Sequence, residues 1–339
     1  MKKKITFKEK VKMKNGFDGQ LLYGYENFNR ESGRTKHNDQ RKISDNQWLD
    51  VKTNIIHEKY ALHRNCPICN SNNKSILFIK SGFPHYVCNN CTLIYVSPCL
   101  LPEVYSDYSR TANSYANVLS HPTSIKLDKL KFKYGLDNLR QYLKPNDKIC
   151  DIGSGPGTFS ILAKKNGYKV YAIEPNEKCQ INLIDNNIDF GKEFYPHHSY
   201  QSMKWDAIAI WAILEHVHEP TKFVESLRNN LNPGGYLFVN VPNADALVTR
   251  IHGSNSNVFG GHEHIQFFNK KTLGMLLEKY HFEVLEFDTM ISEIGTIKHH
   301  LNFSGGQLLE EADPFNFLSP DFIYKNDFGS ALTAIAKAV

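Results

Sequence analysis

The chain has 339 residues, 41% of them hydrophobic and 12% aromatic, which suits one large or two ordinary domains with a sizeable core and excludes fibrous and low-complexity classes. The formal net charge is +5, but the opening MKKKITFKEKVKMK holds seven lysines and one glutamate, so the rest sums to about −1. A nearly neutral body lacks the broad cationic face that nucleic acid demands, and no apolar run is long enough to span a bilayer.

Residues 1–61 are polar and rich in Lys and Asn. The basic head reads as a solvated, mobile tail, and no apolar h-region follows it that would make it a signal peptide. The runs NGFDGQ and RESGRTKHNDQRK show no sustained periodicity, so this region is expected to be mostly irregular.

Residues 62–97 form a cysteine module, CPICNSNNKSILFIKSGFPHYVCNNC: a Cys-x2-Cys pair, eighteen residues, and a second such pair. That spacing fits a four-cysteine zinc ribbon with Cys66, Cys69, Cys88 and Cys91 as ligands. Four thiolates fill a tetrahedral zinc and leave no position for water, so the ion is structural. FPHYV reads as the second ribbon arm, with His85 expected at the surface. The chain has seven cysteines, an odd number with four in tight pairs. This points to metal binding in a reducing compartment, hence the cytoplasm, rather than to a disulfide framework.

Residues 98–133 read as a linker or lid. HPTSIK, Tyr105, Tyr108 and Tyr115 fall there; Tyr115 is a candidate cover for a bound ligand, with ordinary aromatic packing the simpler role for each tyrosine. From 134 to 339 apolar strands alternate with amphipathic helices. KFKYGLDNLRQYL is a helix closed by Pro145, KICDI a buried strand, TFSILAKKNG a helix, KVYAIE a strand and NEKCQINLIDNN a helix. A weak strand falls near 188–190. WDAIAIWAIL starts as a strand, TKFVESLRNNL is a helix stopped by NPGG, and YLFVNVPN is a strand. KTLGMLLEKYH is a helix with Asn269 as its cap, and FEVLEFDTMI and SALTAIAKAV are strands. Strands separated by helices of this length imply parallel units in one doubly wound α/β sheet, with ligands beyond the carboxyl ends of its strands.

The glycine run DIGSGPGTF lies at such an end. It lacks the lysine of a Walker loop, and Thr158 stands where a dinucleotide fingerprint needs its third glycine. Asp151 ends the first strand and would face a pyrophosphate unfavourably but a cation favourably. Glu174 ends the second strand, where an acid can hold a ribose. S-adenosylmethionine carries a sulfonium and an ammonium and no phosphate, and suits both acids.

DIGSGPGTF, YAIEPN, WDAIAIWAILEHVHEP and LNPGGYLFVNVPN, in that order and spacing, resemble the successive motifs of class I S-adenosylmethionine-dependent methyltransferases. The resemblance covers roughly 134–339. It implies a Rossmann-like, seven-stranded sheet whose last strand is antiparallel. It also implies that Asp151, Gly153, Gly155 and Gly157 wrap the methionine part of the cofactor, that Glu174 takes the ribose hydroxyls, and that Trp211 and Ala212 line the pocket. Asp189 and Glu193 compete for the adenine. A zinc ribbon ahead of such a domain is similar to bacterial methyltransferases that act on deoxysugars or belong to surface-polysaccharide and secondary-metabolite synthesis. The head and residues 291–329 match no pattern.

The acceptor chemistry is expected in LEHVHEP, where His216 is the favoured base and Glu215 orients or contacts the substrate, with packing and capping the competing role for His216 and an exposed position expected for His218. In GGHEHIQFFNKKTL, His262 and His264 alternate, so in an extended chain they point to opposite sides, and they are second-choice bases. A catalytic metal built from these histidines lacks an evident third ligand. WAIL replaces the NPPY-like run of enzymes that methylate base amino groups. The resulting expectation is methyl transfer to a sugar hydroxyl or carbon of a small-molecule or glycan acceptor, nucleotide-linked sugars included. The alternatives are an RNA methyltransferase that grips RNA with its ribbon and a non-catalytic recruitment protein.

Overall fold

The computed structural model describes residues 4–21, 30–37, 46–111, 113–303 and 317–339. The first elements are α1 (Phe7–Leu21), β1 (Ala61–Leu62), β2 (Lys74–Lys80), β3 (Phe83–Cys88), β4 (Ile94–Val96) and β5 (Cys99–Leu100). β1 pairs with β5, while β2, β3 and β4 form an antiparallel meander. Helices α2 (Pro102–Thr111), α3 (Asn113–Ser120) and α4 (Pro122–Leu139) follow. α4 starts well before the expected Lys131. Pro122 occupies its first turn and the His121 side chain accepts from the Thr123 amide at 3.2 Å, a complete start signal inside the expected lid.

The main sheet is built from β6 (Lys148–Ile152), β7 (Lys169–Ile173), β8 (Asp189–Gly191), β9 (Trp205–Trp211), β10 (Leu231–Pro242), β12 (Phe282–Met290) and β13 (Ala331–Ala338). Its order is β12-β13-β10-β9-β6-β7-β8, and the five strands from β8 to β10 are parallel. β13 inserts antiparallel between β10 and β12, as the last strand was expected to do. Helices α5 (Thr158–Lys165), α6 (Glu177–Asp185), α7 (Pro220–Asn230), α8 (Leu247–His252) and α9 (Lys270–Lys279) connect the strands.

Alternation along β6 explains the layering. Ile149 is buried with Phe159, Ala163 and Leu139 on the α4–α5 face, whereas Cys150 and Ile152 are buried with Phe223, Leu227 and Leu273 on the α7–α9 face. A strand buried on both faces needs an unbroken apolar run, and each such side chain contributes about 1.5–3 kcal/mol. The fourth strand of the ribbon sheet, β11 (Gln266–Phe267), comes from far downstream and pairs antiparallel with β4.

The expectation of a solvated, irregular head is corrected over residues 7–21. Lys14 in α1 is fully buried, bonds Asp288 of β12 at 2.6 Å and lies 4.3 Å from the centre of the Tyr324 ring. Lys10 pairs with Glu286, and buried Asp18 accepts from the Tyr324 hydroxyl and from the Ser292 amide at 2.9 Å. A helix held by buried ion pairs shows no apolar stripe, which is why its pattern reads as coil. The unmatched 291–329 region contributes α10 (Ile294–Phe303) and α11 (Pro320–Lys325), the latter carrying Tyr324. No helix among the described residues is long and apolar enough to cross a membrane.

Candidate active site

The sheet order reverses at β6, which has β7 on one side and β9 on the other, so a crevice opens beyond its carboxyl end. The glycine loop lines that end. Gly153 and Gly157 have φ of 69° and 74°, in the left-handed region. A β-carbon on Gly153 would stand 2.1 Å from Ile213 Cδ1, and one on Gly157 would stand 2.3 Å from Leu183 Cδ2. Both conformation and space therefore require glycine there.

Asp151 and Glu174 meet around this loop. Asp151 is 1% exposed and its Oδ2 accepts from Ser160 Oγ at 2.6 Å. Burial pushes its carboxyl up to about 7; the Ser160 bond opposes that rise and nearby Glu174 adds to it. Glu174 Oε2 accepts from the Gly155 amide at 2.7 Å and Oε1 from the Asn176 amide at 2.8 Å. Burial raises its pKa and these two amides oppose the rise. One bond to each oxygen leaves further lone pairs for ribose hydroxyls. Of the two adenine candidates, Asp189 opens parallel β8 and so lies at the wrong end of it. Glu193 follows β8 on the crevice side and pairs with Arg110 at 3.3 Å.

Trp211 is a correction. Its indole packs in the core between Phe132, Phe159 and Phe238, each within 5.7 Å ring to ring, so the side chain does not line the crevice. Ala212 is exposed beside it, with φ of 53°.

The turn after β9 and the loop before β11 face each other. Glu215 is 1% exposed, and neither carboxylate oxygen has a hydrogen-bond partner. Burial pushes its carboxyl up to about 8. His216 Nε2 lies 4.0 Å from Glu215 Oε1, and its Nδ1 donates to the Glu263 carbonyl at 3.0 Å. The His264 ring stands 4.8 Å from that of His216. His262 points elsewhere: it is fully buried, 5.5 Å from the Trp48 ring and 5.6 Å from that of Tyr108. The two loop histidines have different neighbours: His262 packs among aromatic rings, and His264 Nδ1 bonds the Val258 carbonyl at 2.9 Å. Tyr105 stacks on His216 at 6.2 Å, and the Tyr108 hydroxyl donates to Glu263 at 3.1 Å, so two of the three lid tyrosines border this chamber; the Tyr115 side chain lies outside the described residues. His218, expected to be exposed, is instead half-buried with Nε2 on the Leu100 carbonyl at 2.8 Å.

The four ribbon cysteines converge with Sγ atoms 3.4 Å apart for Cys66–Cys91 and 3.5 Å for Cys69–Cys88. Thiolates about 2.3 Å from one zinc in tetrahedral array lie about 3.8 Å apart, so the set fits. The residue after each pair, Asn70 or Thr92, is left-handed and closes the knuckle on the first cysteine's carbonyl at 2.9 Å. At Cys88, burial is outweighed by the Cys91 and Asn90 amides, and the thiol is lowered to about 7. His85 is corrected from surface to core: fully buried, it stacks between Phe78 and Phe267.

Sequence reasoning missed the residues that join ribbon to chamber. Half-buried Arg64 donates to the carbonyls of Val96 and Ile265 and to Gln266 Oε1, while Gln266 Nε2 donates to Leu214 at 2.7 Å and Val217 at 2.6 Å. The Ile265 amide donates to the Glu215 carbonyl at 2.9 Å. No local signal marks Arg64 beyond its position two residues before Cys66.

Residues 128–286 match the family model described as a methyltransferase domain. Among curated proteins, the chain is similar to ubiquinone biosynthesis O-methyltransferases of Shewanella sp. (strain ANA-3), 24% identical over 144 residues, and of Shewanella halifaxensis (strain HAW-EB4), 25% identical over 145 residues. Each alignment takes in 39% of this chain and 61% of the relative, so the chain spans about three fifths of the length of the curated relatives it matches. Among solved structures it is similar to 1,6-didemethyltoxoflavin-N1-methyltransferase of Burkholderia thailandensis (12% identity, 78% of this chain and 99% of that one, TM-score 0.47). Another is a methyltransferase of Thermotoga maritima described as a possible histamine N-methyltransferase (17% identity, 69% and 99%, TM-score 0.46). Residues 128–286 thus match a methyltransferase domain, and they fall within a seven-stranded, doubly wound sheet whose last strand is antiparallel.

Proposed function

We propose that this protein moves a methyl group from S-adenosylmethionine to a small-molecule or glycan acceptor, at a hydroxyl or carbon of a sugar, nucleotide-linked sugars included. The observation that carries the reading is the pairing of an acidic, glycine-floored crevice at Asp151–Glu174 with the Glu215–His216–His264 chamber beyond the neighbouring strand. S-adenosylmethionine supplies an electrophilic methyl on a cationic sulfur. Asp151 and the glycine loop hold the methionine part, Glu174 the ribose hydroxyls, and Glu193 the adenine edge. His216, whose Nδ1–H is committed to a carbonyl, presents Nε2 to an acceptor proton, and Glu215 orients the acceptor. Zinc on Cys66, Cys69, Cys88 and Cys91 is structural, and a reducing compartment such as the cytoplasm suits four metal-bound thiolates.

The reading predicts a pH dependence. A carboxyl raised from 3.8 to about 7 favours the folded protein fully below 3.8 and loses that contribution as pH rises through 7. A cationic ligand needs the carboxylate form, so affinity for S-adenosylmethionine should climb between about pH 6 and 8, with proton release on binding. Calorimetry in two buffers of different ionisation enthalpy checks this, and Asp151→Asn should flatten the profile. The activity itself is tested by incubating the protein with methyl-labelled cofactor and fractionated cell extract. A labelled saccharide product is expected; label appearing only in RNA would reject the acceptor class.

A further inference from the structure

We propose that Glu215, His216 and His264 form a second divalent-metal site, separate from the four cysteines, on the acceptor side of the crevice. One donor atom from each lies within 4.8 Å of the other two. Donors bound at about 2.1 Å to one ion stand roughly 3–4.2 Å apart, so small side-chain adjustments close the set.

The hydrogen bonds orient both histidines for this task. His216 Nδ1 meets the Glu263 carbonyl at 3.0 Å and His264 Nδ1 meets the Val258 carbonyl at 2.9 Å. A carbonyl only accepts, so each Nδ1 carries the hydrogen and each Nε2 the lone pair. An imidazole whose other nitrogen is anchored to a carbonyl is the usual arrangement of a metal-ligating histidine. The independent sign is Glu215. At 1% exposure with no hydrogen bond to either oxygen, its carboxyl carries a desolvation cost that a cation would offset. The scaffold beneath is fixed by the Ile265 amide on the Glu215 carbonyl at 2.9 Å and by Gln266 on Leu214 at 2.7 Å.

Two imidazoles and one carboxylate select a first-row transition ion over calcium or magnesium, and three protein donors leave positions open for water or an acceptor oxygen. An ion there lowers the proton affinity of a bound hydroxyl, which deepens the methyl-transfer reading and specifies an oxygen-bearing acceptor. The inference rests on that reading for the ion's task but not for its presence. It also revises one role, since His216 then holds the ion rather than taking the proton.

The test uses the full chain already loaded with one zinc, titrated with Co2+ alone and followed by absorption and metal analysis. Cobalt on nitrogen and oxygen gives weak ligand-field bands without the intense thiolate charge-transfer band of a four-cysteine site. One further equivalent of that kind is expected, weakened about tenfold or more in Glu215→Gln and His264→Ala while zinc content is unchanged. No second equivalent in the wild type overturns the proposal, as does a second equivalent that binds equally well to both variants. A parallel titration with S-adenosylhomocysteine separates the two readings. Normal nucleoside binding without cobalt uptake sinks the metal site alone, whereas cobalt uptake at the triad without nucleoside binding supports it and sinks the cofactor reading.

Discussion

Replacing Cys91 by serine, or stripping the ribbon's ion with a chelator, is expected to abolish methyl transfer while leaving the nucleoside crevice able to bind. Apparent zinc affinities of about 10–16 kcal/mol in small zinc modules show how much folding free energy one such ion can supply. Here the outer strand β2 has little else, since its Ile76, Leu77 and Ile79 are substantially exposed; Phe83, Tyr95 and Val96 of β3 and β4 are buried, but the end of the module that carries Cys66, Cys69, Cys88 and Cys91 is held together by the cysteine cluster itself. Loss of the ion releases β4, hence its pairing with β11 through Tyr95–Gln266 and Ile94–Phe267, and the Arg64 bonds to Val96 and Ile265. The loop bearing His262 and His264 then loses its support. The bonds of Asp151 and Glu174 involve no residue of 62–97, so that site should survive. Limited proteolysis should cut the stripped protein within 62–97, and calorimetry with S-adenosylhomocysteine should still register binding. A stripped protein that resists cleavage and retains full activity would remove the ribbon from the account.

Glu174→Ala is expected to weaken S-adenosylmethionine by about 1–3 kcal/mol, roughly 5–150-fold. The carboxylate does two jobs. It holds the Gly155 and Asn176 amides, which shapes the glycine loop, and in the proposed reading its remaining lone pairs take the ribose hydroxyls. Alanine leaves both amides without their acceptor, so the melting temperature should fall as well. Adenine alone, which has no ribose, should lose much less affinity in the variant. That comparison by calorimetry separates loss of a direct contact from general loosening, because loosening would weaken both ligands alike.

Much of this was legible in the order of residues because the chemistry is local. KICDI followed by three alternate glycines announces a buried strand, a turn with positive φ and a helix start, and the structure sets Gly153 and Gly157 where a β-carbon would collide with Ile213 and Leu183. The two cysteine pairs announced their own convergence. What escaped depends on partners distant in sequence. Lys14 is buried through Asp288, 274 positions away, and a lysine-rich run carries no trace of that bond. β11 is two residues long and pairs with a strand far upstream, below any periodicity signal. Four cysteines leave His85 no ligand role, and a polar ring at His218 suggests exposure, but an imidazole satisfied by a carbonyl packs well in a core. Trp211 was placed by position at a strand tip; the pleat of β9 turned its ring toward Phe132 and Phe238. The third donor beside the two histidines was in view as Glu215, yet only folding sets it opposite His264.

The most direct measurement is a structure of the zinc-loaded protein with S-adenosylhomocysteine. The account predicts the ribose hydroxyls on the Glu174 carboxylate, the amino-acid end over Gly153–Gly157 beside Asp151, and the sulfur directed toward His216. A nucleoside lodged away from the end of β6, or one whose ribose lies out of reach of Glu174, would contradict it.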